Sequence, residues 1–281
     1  MHMPDTENRT GRKILFTDVD ETLVTSDKKL TDGNRRAIDS FLDAGNIFAI
    51  STGRALSGAG NLARDLGYYG RKNVYICAFN GGQIFDTYSE KTLFRRALTQ
   101  DQVHTINLSA KKYGIHLQAY SDTEVLTETE NDSLRRYCAI QNLPFRIVPD
   151  LAEAAGSSSC KLLAIDFSDS SRVSGFRDYL EGVPGGADGI SFFYSNEWML
   201  EFVPAGISKG YALRFLADYL GVKIENTISA GDAENDIPMI EAAGTGCAMA
   251  NGSDAIRKCA DYITACDNNH DGIAEIIRMF G

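Results

Sequence analysis

The chain is poor in the features that would direct it to a membrane or to nucleic acid. No run in its 281 residues approaches the roughly 18 apolar residues that span a bilayer. Basic residues are outnumbered, 28 Lys and Arg against 38 Asp and Glu. The resulting net charge of -10 and pI of 4.9 argue against nonspecific binding to nucleic acid or to an anionic membrane. They leave small anionic substrates open, because a site's local field can oppose the net charge. Histidine is scarce: His2, His104, His116 and His270 stand apart, without zinc-like spacing. The six cysteines form no C-x-x-C pair, and several sit in apolar runs. They read as buried free thiols of a reducing, cytoplasmic compartment. Residues Met1 to Gly11 are polar, lack the apolar stretch of a signal peptide, and are expected to be a frayed tail. Repeats and low-complexity segments are absent.

What is present fits a soluble globular protein, 43% hydrophobic and 23% charged, long enough for one large or two ordinary domains. The stretch Lys13 to Val24 stands out. An apolar run, Ile14 to Phe16, reads as a buried strand and runs into Asp18 and Asp20. Two carboxylates at the end of a buried strand pack poorly unless paired. A bivalent cation would relieve their repulsion, and an Asp can act as a nucleophile. The plain alternative is a pair of turn residues closing a strand.

The chain then alternates. A helix around Ala37 to Leu42 leads to a strand at 47–50 and Ser51-Thr52-Gly53-Arg54. A helix from Leu56 to Leu66 precedes a strand at 74–79 ending at Asn80-Gly81-Gly82. This order predicts a parallel sheet with crossover helices, whose ligands bind beyond the carboxyl ends of the strands. From Gly82 the pattern changes to hairpins and mixed elements, expected as an inserted α+β domain over residues 84–203. The first pattern resumes at 204, with a helix opened by Ser208-Lys209-Gly210 and a strand at 227–230 that delivers Gly231 to Asp236. The expected division is therefore a core of 1–83 and 204–281 with an insertion of 84–203.

The strand ends collect Asp18, Asp20, Thr52, Asn80, Asp232, Asn235 and Asp236, with Lys209 beside them. Carboxylates are hard ligands suited to Mg²⁺, while a hydroxyl, helix-N-terminal amides and an ammonium suit a phosphate. Together they fit phosphoryl transfer.

In the same order, Asp18-Val-Asp20-Glu-Thr22, Ser51-Thr52-Gly-Arg54, Ser208-Lys209-Gly and Gly231-Asp232-Ala-Glu-Asn235-Asp236 resemble the four motifs of the haloacid dehalogenase superfamily. Asn80-Gly81-Gly82, Cys247 to Asn251 and Ala260 to Thr264 with Asp271-Gly272 resemble its Cof-type branch, with a cap of the C2B kind after the third strand. The resemblance implies a Rossmann-like α/β core and a Mg²⁺-dependent phosphatase. Asp18 would be the nucleophile, and Asp20 general acid and base, with a pKa expected to be raised by nearby carboxylates. The metal would be held by Asp18, the carbonyl of Asp20 and Asp232, with Asp236 holding its water. Phosphate or substrate would be met by Thr52, Gly53, Arg54, Asn80, Gly81, Lys209 and Asn235. Glu21 stands where the family commonly has Gly, a backbone demand that reads as mild.

Plainer readings stand beside these. Asn80-Gly81-Gly82 also reads as a tight turn, Arg54 as a solvated charge, and Asp232 and Asp236 as helix caps, although capping does not explain both together with Asn235. Trp198 and Glu201 read as hairpin packing or as ligand-facing. The insertion is expected to cover the site and to set specificity, with His116, Gln118, Asp122, Lys161, Tyr194 and Glu197 as its polar candidates. The implied partner is a small phosphorylated metabolite, a sugar or cofactor phosphate, acted on by a monomer or small homo-oligomer. A phosphosugar mutase, a phosphoacceptor signalling module and a catalytically silent scaffold remain as alternatives.

Overall fold

A computed structural model describes residues 11–156 and 158–281; of the expected polar tail, all but Gly11 lies outside the described residues. The expected alternation is present as Ile14–Thr17 (β1), Asp32–Asp43 (α1), Ile47–Ser51 (β2), Leu56–Asp65 (α2) and Val74–Ala78 (β3). Thr31 caps α1, accepting from the Asn34 amide. The three strands are buried along their whole length and do not alternate with polar residues, because both faces of the sheet are covered. Leu15, Phe48, Ile50 and Ile76 pack against α1 and α2, while Ile14, Phe16, Ile47 and Ala49 pack on the other face.

The hairpin Gln83–Asp86 (β4) and Lys91–Arg95 (β5) corrects one expected boundary. The sequence pattern places it at the start of the insertion, but β4 pairs antiparallel with β3 and β5 with β4, so the hairpin extends the core sheet. Its alternating pattern is the same whichever sheet it joins. The turn at Phe79 to Gly82 folds the chain straight back onto the free edge of β3.

The inserted domain follows, as Gln100–Tyr113 (α3), His116–Tyr120 (β6), Val125–Thr127 (β7), Asp132–Gln141 (α4), Phe145–Ile147 (β8), Leu151–Ala155 (α5), Leu162–Ile165 (β9), Ser170–Glu181 (α6), Ile190–Asn196 (β10) and Met199–Pro204 (β11). The Thr99 and Gln102 capping box expected for α3 is formed in both directions. The strands make a second sheet, ordered β10-β11-β9-β6-β7-β8. Helices α3, α5 and α6 cover one face. The other face, with α4, joins the core's apolar cluster, where the Phe79 ring meets Tyr120 edge-on at 5.8 Å.

The chain returns through Lys209–Leu220 (α7), Thr227–Gly231 (β12), Ile237–Ala242 (α8), Thr245–Ala248 (β13), Asp254–Cys259 (α9), Tyr262–Ile263 (β14) and Gly272–Phe280 (α10). The core sheet runs β14-β13-β12-β1-β2-β3-β4-β5, and its first six strands are parallel. β1 lies between β2 and β12, at the place where the strand order reverses. Asp18 therefore leaves the sheet at the crevice where an open α/β sheet binds its ligands. All six cysteines are free thiols, four of them buried.

Candidate active site

The site is built outward from the end of β1. The Asp18 amide donates to the Ala230 carbonyl of β12 at 2.9 Å, which holds the two strand ends side by side. The Asp18 carboxylate accepts from Lys209 Nζ at 2.5 Å, and the same ammonium donates to Asp236 Oδ1 at 2.5 Å. Lys209 is the first residue of α7, capped by Ser208, and is completely buried. Its neighbour Gly210 permits this depth: a Cβ there would fall 2.0 Å from the Pro238 carbonyl oxygen. Asp236 Oδ2 accepts from the amides of Asp232 and Ala233, and the Thr22 hydroxyl donates to Asp232 Oδ1 at 2.7 Å.

The carboxylate oxygens of Asp18, Asp232 and Asp236 lie within 4.8 Å of one another. Burial raises the pKa of Asp18; Lys209 opposes that, while Asp236, Asp232 and Asp20 reinforce it. Burial and then Asp236 push Asp232 up to about 7. Lys209 is raised despite its burial, by Asp18 and Asp236. Three crowded carboxylates against one ammonium leave negative charge uncompensated, and the donors are all hard oxygens. The set fits a cation such as Mg²⁺.

Asp20 departs from expectation. Burial acts to raise its pKa, but hydrogen bonds and charge from Arg54 and then Lys28 overcome it and bring the value down to about 2. Arg54 grips the carboxylate with both arms, Nε at 3.0 Å and Nη2 at 2.7 Å, and Lys28 Nζ adds a contact at 2.8 Å. The expected upward shift is thus corrected, and Arg54 is not a solvated charge. Lys28, from the polar turn before α1, was not foreseen. Nor is the Asp20 side chain among the clustered carboxylate oxygens of Asp18, Asp232 and Asp236.

Glu21 is also corrected. Its φ of 58° is left-handed, so the backbone demand that favours Gly is real. The strain is held by the Asn251 amide group on its carbonyl at 2.8 Å, and by Ser26 and Asn268 on its carboxylate at 3.0 and 3.2 Å.

Thr52, Gly53 and Arg54 follow β2 and line the cavity, as does Asn235. Asn80 and Gly81 do not line it, against expectation. Phe79, Asn80 and Gly81 all have positive φ, a turn that aims Asn80 inward. Asn80 is fully buried; it donates to Glu201 of β11 and accepts from Asn235 Nδ2 at 3.1 Å. Gly81 packs on the turn before α7, where a Cβ would fall 2.4 Å from the Ser208 carbonyl oxygen. Lys161, just before β9, donates to Glu201 Oε1 at 3.0 Å and to the Gly53 carbonyl at 2.6 Å. Two buried charges of the inserted domain thus close onto the Thr52–Arg54 loop and onto Asn80.

Beneath the second sheet lies a cavity of about 520 Å³. Its floor is Asp18, Asp20, Thr52, Arg54, Asp232 and Asn235; Lys161, Trp198 and Glu201 belong to its roof. The other expected roof residues lie elsewhere. His116 and Gln118 are buried within the second sheet, Asp122 pairs with Arg95 at 3.0 Å, and Tyr194 and Glu197 line a neighbouring groove. The roof also holds Arg136, Tyr137, Ile140 and Gln141 of α4, with Phe167, Ser195, Asn196 and Met199. These were missed. The only sequence signal was that Arg136, Ile140 and Gln141 fall on one face of a short helix.

Residues 15–277 match the family of haloacid dehalogenase-like hydrolases. A 5-amino-6-(5-phospho-D-ribitylamino)uracil phosphatase of Bacillus subtilis, YcsE, is 30% identical over 266 residues, covering 95% of this chain and 94% of its own. The phosphoglycolate phosphatase of Methanospirillum hungatei is 27% identical, covering 95% of each. The crystal structure of a haloacid dehalogenase-like hydrolase from Bacteroides thetaiotaomicron superposes with a TM-score of 0.85 at 28% identity, over 96% of this chain and all of that one. With the motifs in order on the strand ends and a second sheet above them, the chain belongs to the haloacid dehalogenase-like hydrolase family, in its Cof-type phosphatase branch.

Proposed function

We propose that the protein hydrolyses phosphate monoesters of small metabolites through a phosphorylated Asp18, with Mg²⁺ as cofactor. The observation that carries this reading is Lys209, fully buried and bridging Asp18 to Asp236 on the floor of a roofed cavity. Asp18, Asp232, Asp236 and the carbonyl of Asp20 would hold the ion, which when bound lowers the repulsion between Asp18 and an anionic phosphate.

Asp18 Oδ attacks phosphorus, and the bond to the ester oxygen breaks. Lys209 neutralises charge beside Asp18, and the Thr52 hydroxyl and Gly53 to Arg54 amides orient the phosphoryl oxygens. The leaving oxygen takes a proton from Asp20. In the described pose Asp20 is ionised by Arg54 and Lys28. To carry that proton Asp20 would have to leave the hydrogen bonds of Arg54 and Lys28, the groups that hold its pKa down against the effect of burial. Water then gives its proton to Asp20, attacks the phosphoryl group and releases Asp18 and inorganic phosphate. Asn235, held by Asn80, steadies the phosphate site. The free thiols support a cytoplasmic location. The two named relatives, whose substrates are small phosphate esters, support the substrate class.

The test is a Mg²⁺-dependent screen over phosphorylated metabolites, with acid-quenched trapping of labelled phosphate. The active chain is expected to carry acid-stable label on Asp18. Asp18→Asn is expected to lose both label and turnover, and label persisting in that variant would overturn the assignment. Asp20→Asn is expected to slow turnover by about 10²–10⁴.

A further inference from the structure

Two stretches that mark the Cof-type branch, Cys247 to Asn251 and the loop leading to Asp271-Gly272, have no task in the steps above. Both reach the turn that carries Asp20. That turn is closed by the Val24 amide on the Val19 carbonyl at 3.1 Å, and Glu21 at its centre is left-handed.

The loop of residues 265–271 has a frame of its own. Glu275 of α10 accepts from the amides of Ala265 and Cys266, both at 2.9 Å, and from the Tyr262 hydroxyl at 2.7 Å. The Gly272 amide donates to the Asp267 carbonyl at 3.2 Å. From this frame Asn268, only 1% exposed, reaches across to the turn. Its side-chain amide donates to Glu21 Oε2 at 3.2 Å and to the Val24 carbonyl at 3.0 Å. Its backbone amide donates to Asn251 Oδ1 at 3.2 Å, which decides how the Asn251 amide faces and sends Nδ2 to the Glu21 carbonyl at 2.8 Å. Asn269 accepts from the Ser26 amide at 3.1 Å, and Asp271 from the Thr31 hydroxyl at 2.5 Å. One rigid loop thus grips the chain from Glu21 to Thr31.

Control runs from the loop to the turn. The loop is bonded within itself and to α10, whereas Glu21 sits in a conformation unfavourable to a residue with a side chain. Rotation about φ of Glu21 swings the peptide whose oxygen is the Asp20 carbonyl. The next residue, Thr22, donates to Asp232 Oδ1 at 2.7 Å. Relaxation of Glu21 therefore displaces two groups at the catalytic centre together. We propose that Asn268, acting with Asn251, is a positioning residue for phosphoryl transfer, which holds the Glu21 peptide so that the Asp20 carbonyl faces the cation and Thr22 faces Asp232. This rests on the phosphatase reading and gives the two Cof-type stretches their task in it.

Two readouts test it: turnover of a generic aryl phosphate, and Mg²⁺ binding without substrate by titration calorimetry. Because a shift of about 1 Å at reacting groups can cost about 10²-fold, Asn268→Ala is expected to lower kcat about tenfold or more with KM little changed. Its Mg²⁺ affinity is expected to fall about tenfold as well. Tyr262→Phe loses only a bond inside the frame, and is expected to unfold at lower urea while keeping kcat and Mg²⁺ affinity. In a Glu21→Gly background the left-handed turn carries no strain, so Asn268→Ala is expected to cost about threefold or less on either readout. Equal losses in the two backgrounds, or an Asn268→Ala chain that is less stable but keeps wild-type kcat and Mg²⁺ affinity, would overturn the proposal. If Asn268→Ala fails to fold, Asn251→Ala, at an exposed position, is judged by the same outcomes. A wild type that binds Mg²⁺ but hydrolyses no phosphate ester would instead strike the phosphatase reading, and the Mg²⁺ comparison alone then decides the positioning role.

Discussion

Glu21 shows how a single residue can be legible in kind and illegible in geometry. Its departure from the motif is plain in the sequence, but its φ of 58° is not. The left-handed conformation costs a side-chain-bearing residue about 1–2 kcal/mol. Glu21 offsets that cost by bonding Ser26 and Asn268. Two variants separate the effects. Glu21→Ala loses the bonds and keeps the strain; Glu21→Gly loses the bonds and the strain. The Gly variant is therefore expected to be about 1 kcal/mol more stable than the Ala variant by urea denaturation. Equal stabilities would mean that the turn relaxes when the carboxylate is gone. The same distinction runs through the site. That Asp18, Lys209 and Asp232 come together could be read from motif order, because the first and last follow strand ends and Lys209 opens a helix at the same sheet edge. The Asp20 environment could not, because it depends on Arg54 and Lys28 reaching across from two separate loops.

At the scale of elements, periodicity recovers the long ones and loses the short. α5 and α9, of five and six residues, are too brief for a 3.6-residue pattern to emerge. The core's β1, β2 and β3 with α1, α2 and α7 are read correctly because their apolar runs are long and bounded by polar or glycine-containing turns. Which sheet a hairpin joins is not encoded in its own alternation, so β4 and β5 were assigned to the wrong side of the boundary. The joint between the sheets was likewise hidden, because Lys161 and Glu201 are forty residues apart in sequence. Their ion pair is almost wholly buried, with side chains 2% and 5% exposed. Removing one partner of such a pair strands the other charge, at about 3–5 kcal/mol. Lys161→Met and Glu201→Leu are each expected to lose that much stability, and the double variant clearly less than their sum. Turnover is expected to stay low in the double variant, because Gly53 and Asn80 have still lost their contacts across the joint. Recovery of stability and turnover together would show that the pair serves packing alone.

For the whole molecule, the second sheet is more than a lid resting on the core. Tyr120, Val125, Leu163 and Ile165 belong to the same apolar cluster as Leu15, Phe48 and Ile76, with the Phe79 ring between them. Destabilising this sheet should therefore be felt in the unfolding of the entire chain. His116 provides the means. It lies in β6 with neither ring nitrogen bonded, Gln118 beside it without closing a hydrogen bond, and burial drives its pKa from the ordinary 6.5 to about 4. Between those values the unfolded chain binds a proton that the folded chain refuses, so stability falls as pH falls through this window. The loss is complete near pH 4, is absent above about pH 7, and amounts to about 3 kcal/mol at most. Acid also protonates the carboxylates, so wild type alone cannot isolate the effect, but His116→Leu has the same carboxylates. The stability difference between the two, measured by urea denaturation, is expected to be flat above pH 7 and to move in favour of the variant from pH 6.5 to 4. A difference that stays constant across that range would mean that His116 gains a partner or solvent on protonation, and that the second sheet opens locally before the chain unfolds.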